Sequence, residues 1–140
     1  MIDFLQNFHS GWAYITLLFL LTTIINSAIG LSSKKLFMPR DRKIALFALI
    51  FTHIQLLIGL VLYFGSPLGK AALVHLKNPE LRLTALEHPL TNLIAVALIT
   101  IGWSKHKKTT ESSKKFKVML IFYGLGLLLI LSRLPWNLWF

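Results

Sequence analysis

The sequence alternates four long apolar blocks with short polar segments. The blocks run over Gly11–Leu31, Ile44–Phe64, Leu83–Trp103 and Val118–Leu131. Because an α-helix rises about 1.5 Å per residue, about 20 residues cross a hydrocarbon layer that is about 30 Å thick. Three blocks have this length, and the fourth reaches it with its flanking residues. The pattern therefore predicts an all-α fold, an integral membrane up-down four-helix bundle that residues 1–140 form as a single domain.

The third helix is predicted to begin before its apolar block. Asn78 followed by Pro79 is a typical helix start, with asparagine as N-cap and proline in the first helical position. A helix that began only at Pro89 would be too short to cross the bilayer, so Glu87 and His88 are expected to lie inside it. Pro89 then lacks the amide that would donate to the carbonyl four residues earlier, and it is expected to kink the helix.

Charge and composition support a membrane location. Of the 140 residues 55% are hydrophobic, and the formal net charge is +10. The basic residues concentrate in the segments that join helices 1 and 2 and helices 3 and 4. They are Lys34, Lys35, Arg40, Arg42, Lys43, Lys105, Lys107, Lys108, Lys114, Lys115 and Lys117, whereas the opposite side carries Lys70, Lys77, Arg82 and Arg133.

This distribution follows the positive-inside rule, which predicts that both basic segments are cytoplasmic and that both termini lie on the outer side. Attraction to anionic lipid headgroups is a sufficient role for these charges, so membrane lipid is an expected partner and nucleic acid is not. Cysteine is absent from the chain, which excludes disulfides, thiolate metal sites and covalently attached haem. Any cofactor must be held by histidine, by carboxylate or by packing.

Five histidines are the main candidates for chemistry. His75 and His106 lie in polar segments and are expected to be solvated. His9, His53 and His88 fall on three different helices, and depth estimates place all three in the outer half of the bundle. Ionisable groups inside a bilayer are costly, face the bundle interior and mark functional sites by default.

Two neutral imidazoles on facing helices can take the axial positions of a haem whose porphyrin is buried by the apolar bundle. The same three histidines could alternatively bind zinc or copper, because imidazole is a good ligand for both ions. Asn92 lies on the helix face of His88 and is expected to orient the imidazole or to bond a propionate. Arg133 is expected to neutralise a propionate or to pair with Glu87.

Glu87 has two interpretations from the sequence. It is a candidate proton carrier beside a redox centre, because a carboxylate in a low-dielectric site holds its proton more tightly. It is equally well explained as the ion-pair partner of Arg82 or Arg133. A nucleophile with a general base and an oxyanion hole is not recognisable, so catalytic residues remain unknown and an electron-transfer protein is favoured over a stand-alone enzyme.

Four stretches in order resemble small four-helix bacterial membrane proteins labelled cytochrome b. They are "HSGW" in helix 1, "RKIALFALIFTHIQLLIGLVLYF" in helix 2, "EHPLTNLIAVALITIGWSKHKK" in helix 3 and a helix 4 that ends in "PW". The resemblance covers nearly the whole chain. It implies a b-type haem in a bacterial inner membrane, with His9, His53 and His88 as candidate ligands. Such relatives often carry a basic residue shortly after the first histidine, where this chain has Trp12 and Ala13.

The sequence thus favours a membrane b-type cytochrome that transfers electrons between a quinol or a redox protein complex and another carrier. His53 with His88 is the preferred ligand pair, because both lie well within apolar segments of opposed helices. His9 with His88 is the next, because helices 1 and 3 lie diagonally across an up-down bundle. The alternatives are a three-histidine copper or zinc protein and a non-redox accessory subunit of a larger membrane complex. A homo-oligomer is compatible with each of them.

Overall fold

The computed structural model describes residues 1–139, and these residues form helices and turns without a β-strand. The long helices are α1 (Ile2–Ser32), α2 (Pro39–Gly65), α3 (Pro79–Lys107) and α4 (Ser112–Ser132), and each is long and apolar enough to cross a membrane. A 3₁₀ helix (Lys70–His75) precedes α3, and a short helix α5 (Trp136–Trp139) follows α4. The four predicted helices are confirmed. Helix α1 starts nine residues before its apolar block, which places His9 inside a helix.

The four long helices pack side by side as an up-down bundle. Helix α1 packs against α2 and α4, and α3 packs against the same two neighbours, so α1 and α3 lie diagonally opposite each other. We call the end that carries both chain termini the terminal end and the opposite one the basic end. The terminal end contains Ile2, Gly65, Pro79 and Ser132, and the basic end contains Ser32, Pro39, Lys107 and Ser112.

The closely packed core lies mostly in the basic half of the bundle, and its member Ile130 lies near the terminal end. Its buried members are Leu20, Ala45, Ala48, Ala95, Ile99, Trp103, Met119, Tyr123 and Ile130. Tyr123 of α4 reaches across this core, and its hydroxyl donates to the carbonyl of Ala45 in α2 at 2.9 Å. Gly30 allows the close approach of α1 and α4, since a Cβ at this position would lie 2.5 Å from the ring of Phe116. These contacts pack the helices closely together in the basic half of the bundle.

The start of α3 agrees with the prediction from Asn78 and Pro79. The Asn78 side chain accepts hydrogen bonds from the backbone amides of Glu80 and Leu81, at 3.0 and 3.4 Å. Directly before the expected proline kink, the helix contains a π-helical turn over Leu83–Glu87, in which the amide of His88 bonds to the carbonyl of Leu83. A π turn inserts one extra residue into the helix and so changes the face on which the following side chains project. It directly precedes His88 and Pro89.

The two histidines expected to be solvated have different environments. His75 is exposed, as predicted. The expectation for His106 is wrong, because only 1% of this residue is exposed. Its Nδ1 lies 2.5 Å from the carbonyl of Trp103, and its ring contacts the rings of Trp103 and Phe37. Although lysines surround His106 in the sequence, the helix turns this one position inward at the basic end.

Candidate functional site

A cavity of about 200 Å³ lies between the helices in the terminal half of the bundle. All four long helices line it, and residues of α5 and of the segment before the 3₁₀ helix contribute to its walls. Its polar lining residues include Gln6, His9, Ser10, Thr16, Thr52, Gln55, Tyr63, Ser66, Thr84, His88 and Asn92. The remaining walls are mostly leucine and other apolar side chains. A cavity with a few polar groups in apolar walls is the usual form of a small-molecule site.

His9 of α1 lies against α2 in this cavity. Two hydrogen bonds from polar side chains to backbone carbonyls fix the helix pair at this level. Gln55 Nε2 donates to the carbonyl of His9 at 2.8 Å, and Trp12 Nε1 donates to the carbonyl of Phe51 at 3.1 Å. The imidazole of His9 occupies space left by Gly59, since a Cβ there would be 3.1 Å from His9 Cε1. His9 Nδ1 is buried and has no hydrogen-bond partner among the described residues.

His88 of α3 is oriented by the end of α4. Its Nδ1 lies 3.0 Å from the carbonyl of Arg133, which follows the last residue of that helix. Because a carbonyl accepts hydrogen bonds, Nδ1 carries the proton and Nε2 is left with a free lone pair. Asn92 Nδ2 is 3.2 Å from the same nitrogen, but it donates to the carbonyl of His88 at 2.7 Å. The contact with the end of α4 therefore favours the His88 tautomer whose Nε2 lone pair is free to bind a ligand.

The structure brings His9 and His88 together across the bundle. Their ring centroids are 6.4 Å apart, and the ring planes are nearly perpendicular at 83°. Metal–imidazole nitrogen bonds are about 2.0 Å long, so two imidazoles on opposite sides of one metal ion have ring centres roughly 6 Å apart. Each ring can rotate about its own metal–nitrogen bond, so perpendicular planes do not prevent shared ligation. The separation of the two side chains suits one metal ion between them.

His53 is not part of this pair, contrary to the preferred pairing of His53 with His88. Its Nδ1 lies 2.7 Å from the carbonyl of Leu49, and its Nε2 lies 3.4 Å from the hydroxyl of Thr100 in α3. Thr100 is about 18 Å beyond His88 along that helix, which is three turns nearer to the basic end. His53 is also absent from the described lining of the cavity. In this structure it joins α2 to α3 at a different depth.

The residues around Glu87 form an ion-pair group at the terminal end. Glu87 Oε2 is 3.2 Å from Arg82 Nε, and Glu87 Oε1 is 3.9 Å from Arg133 Nε. About a third of the Glu87 side chain is exposed, so solvent screens these pairs. Of the two interpretations of Glu87, the observed contacts are those of the ion-pair partner. They also hold the side chain of Arg133 while its carbonyl contacts His88.

A three-histidine metal cluster is not formed. Among residues 1–139, no group of three or more histidine, aspartate or glutamate side chains is placed to hold a metal ion. The expectation that three helices bring their histidines to one region is correct for His9 and His88 and wrong for His53. The cause is depth, since His53 lies at the level of Thr100 and not of His88.

Two site residues gave only weak signals in the sequence. Gln55 is a polar residue in a mostly apolar helix, a signal that does not say what the side chain contacts. It does contact α1, and it also lines the cavity. Gly59 is one helical turn beyond Gln55 and therefore lies on the same face of α2. In the sequence, a polar residue and a glycine spaced one helical turn apart were the available sign that this face of α2 meets a ligand.

No family model, curated protein or solved structure matches the chain in comparisons with known proteins. The fold and the site therefore define its class: an all-helical protein with four helices able to span a membrane and a cavity with two facing histidines.

Proposed function

We propose that this chain is a membrane b-type cytochrome in which His9 and His88 would hold the iron of a haem. The observation that carries the proposal is the pair of imidazoles from diagonal helices, whose ring centres are 6.4 Å apart in the cavity. In the sequence analysis this pair is the second choice, after His53 with His88. The geometry favours it over His53 with His88, because His53 contacts Thr100 at another depth.

The number of protein ligands favours haem over a small metal ion. A structural zinc site uses four protein ligands, and a catalytic one uses three. In the described residues the cavity offers two facing histidines, and no third ligand completes a cluster. A haem supplies four nitrogen ligands of its own, so two imidazoles complete the coordination of its iron. Copper or zinc thus becomes the weaker alternative.

Features beside the two histidines support a ligand role. Histidines that bind metal usually donate their other ring N–H to a carbonyl or a carboxylate, which fixes the ring orientation. His88 has such a partner in the carbonyl of Arg133. His9 has a buried nitrogen without a partner among the described residues, and Gly59 provides space for its ring. These residues fit an imidazole-ligated group.

A haem bound here would supply one-electron chemistry, and its potential would depend on the axial ligands and on burial. The protein would hold the iron through His9 and His88 and would exclude water with apolar walls. A haem held between helices that can span a membrane supports a role in electron transfer between a quinol or a redox protein complex and another carrier. This role agrees with the resemblance to small cytochromes b. Asn92 contributes by anchoring the backbone of His88.

The proposed location is a bacterial inner membrane, with the basic end in the cytoplasm and the terminal end outside. Four apolar helices and the basic segments between them support this topology. We expect a membrane-impermeant amine reagent to modify Lys70 and Lys77 in right-side-out vesicles, while Lys34 and Lys35 react only after permeabilisation. Mass spectrometry of the labelled peptides measures both sets. Labelling of the second set in intact vesicles would contradict the topology.

The cofactor proposal is tested by absorption spectroscopy of the purified protein. We expect a dithionite-reduced spectrum with a haem b α-band near about 560 nm, because bis-imidazole haem is six-coordinate and low-spin. Haem extraction and elemental analysis of the same sample measure the stoichiometry and detect copper or zinc. A well-folded sample without haem would refute the proposal. Copper or zinc in that sample would support the metal-binding alternative, and the absence of both would favour an accessory subunit.

A further inference from the structure

The basic end of the bundle carries a group of cations around the buried ring of His106. Arg42 of α2, Lys107 of α3 and Lys115 of α4 all lie close enough to this ring to act on it electrostatically. Like charges that three helices bring together repel one another, and an anion among them would relieve the repulsion. The group therefore favours a negatively charged partner.

The two carboxylates of the basic end do not serve as this anion. Asp41 is buried, and its two oxygens accept hydrogen bonds from a side chain of α1 and from a backbone amide. Glu111 Oε1 lies 3.7 Å from Lys114 Nζ. In the part of the chain that the structure describes, Arg42 and Lys115 form no ion pair. Their charges are therefore available to a ligand.

Aromatic rings hold two of the cations in place. The Cζ atom of Arg42 lies 5.0 Å from the centroid of the Trp103 ring, and Lys115 Nζ lies 5.3 Å from the centroid of the Phe37 ring. The ring of His106 contacts both aromatic rings, with centroid distances of 4.5 Å to Trp103 and 5.6 Å to Phe37. A cation over a ring face is attracted by the π electrons, so it loses less freedom when it binds a ligand.

Arg42 is the best placed of these cations to bind a phosphate group. A guanidinium that lies over a ring keeps the N–H groups at its edge free, and its planar fork matches two phosphate oxygens. Arg42 is exposed, so a ligand can reach it. Apolar surface lies at the same end, since Leu36 and Met38 on either side of Phe37 are 72% and 54% exposed. A phosphate group joined to acyl chains fits both features.

We infer that the basic end binds one anionic phospholipid, whose phosphate group is held by Arg42 and attracted by Lys107 and Lys115. Its acyl chains lie beside Leu36 and Met38. The general attraction of basic segments to headgroups depends on net charge, and each lysine or arginine then contributes about equally. A built site depends instead on which cation is changed and on the shape of that cation. The site lies outside the cavity and does not depend on haem.

The first test measures lipid binding to the wild-type protein. Purified protein in detergent is titrated with phosphatidylglycerol or with phosphatidylcholine of the same acyl chains, and native mass spectrometry gives the number of bound lipids and their affinity. We expect one phosphatidylglycerol to bind about tenfold more tightly, because the choline cation would lie against Lys107 and Lys115. Equal affinities would overturn the inference. Displacement of the lipid by glycerol phosphate would also overturn it, since the site would then take a soluble phosphate.

Exchange of arginine for lysine tests the shape of the cation without changing the net charge. Arg42→Lys should lower the affinity for phosphatidylglycerol about tenfold, because lysine lacks the planar fork. Arg40 is also exposed at the start of α2, and Arg40→Lys should keep the affinity. An unchanged affinity in folded Arg42→Lys, or the same loss in both variants, would overturn the assignment to Arg42. Should Arg42→Lys not fold, the wild-type titration with the two lipids still decides.

Two lysine variants separate the site from general attraction. Lys115→Gln should weaken phosphatidylglycerol binding about fivefold, which is the usual effect of one cation near a headgroup. Lys117 is exposed in the same helix, and Lys117→Gln should leave the affinity nearly unchanged. Equal losses in the two variants would show that net charge alone attracts the lipid, and the inference would then be wrong.

Haem content is measured on the same samples from the reduced spectrum. It should be the same in Arg42→Lys and in the wild type, because the cavity lies in the other half of the bundle. Selective lipid binding by a protein without haem would support this inference and refute the proposed function. Haem binding without a lipid preference would have the opposite meaning, so the two proposals can fail independently.

Discussion

Replacing His9 by alanine is expected to reduce haem occupancy at least about tenfold, whereas His53→Ala should leave the occupancy unchanged. His9 and His88 face each other across the cavity, with ring centres 6.4 Å apart, and loss of one imidazole removes half of the protein's ligands to the iron. Losing a partner that merely orients a metal ligand already costs about 10-fold to 100-fold in affinity, so loss of a ligand should cost no less. Occupancy is measured from the reduced α-band per mole of protein.

The matched control variant, His53→Ala, is informative because the sequence alone favours His53 as a ligand. His53 contacts Leu49 and Thr100, and its substitution removes a contact between two helices without opening the cavity. We expect His53→Ala to lower the thermal unfolding temperature slightly and to preserve the spectrum. Loss of the α-band in folded His53→Ala, with retention in His9→Ala, would refute the proposed ligand pair. Size-exclusion chromatography shows whether each variant is folded.

Replacing Gly59 by valine is expected to reduce haem occupancy nearly as much as removing His9. A Cβ at position 59 would lie 3.1 Å from His9 Cε1, and the two γ-methyl groups of valine extend further into the space of the ring. The imidazole would have to rotate away from His88, because Gln55 holds the backbone of His9 against α2. Haem occupancy is again measured from the α-band, and the electron paramagnetic resonance spectrum reports a change in axial ligation.

Gly124 provides the control for this experiment. It lies in α4, and a Cβ at this position would have no heavy atom within 4 Å, so Gly124→Val should keep the haem and its spectrum. The comparison separates blocking of the His9 ring from the general effect of valine in a helix. Normal haem content and ligation in Gly59→Val would show that the position of His9 against α2 is not required.

The sequence predicted the helices more accurately than the side-chain environments. The length of the apolar blocks predicted four helices, and Asn78 with Pro79 predicted the start of α3. Both predictions were accurate because they depend only on residues that are neighbours in the sequence. The solvated environment predicted for His106 was wrong, since the surrounding lysines indicated charge but not the helix face on which the histidine lies. The position of His53 relative to His9 and His88 was not predictable for a similar reason. Its central place in an apolar block showed that it is shielded but not which residue of α3 it meets.

The tertiary structure decided which polar groups share one cavity. By itself, the sequence determined four apolar helices, the separation of charge between the two ends and the small set of candidate histidines, because these follow from local composition and periodicity. The depth of each side chain depends on helix register, and the π turn before Pro89 changes that register within α3. The partner of His88 is a backbone carbonyl at the end of α4, which side-chain identity does not predict. Helix packing therefore decides that His9 lies beside His88, that His53 contacts Thr100 and that Gln55 lines the cavity.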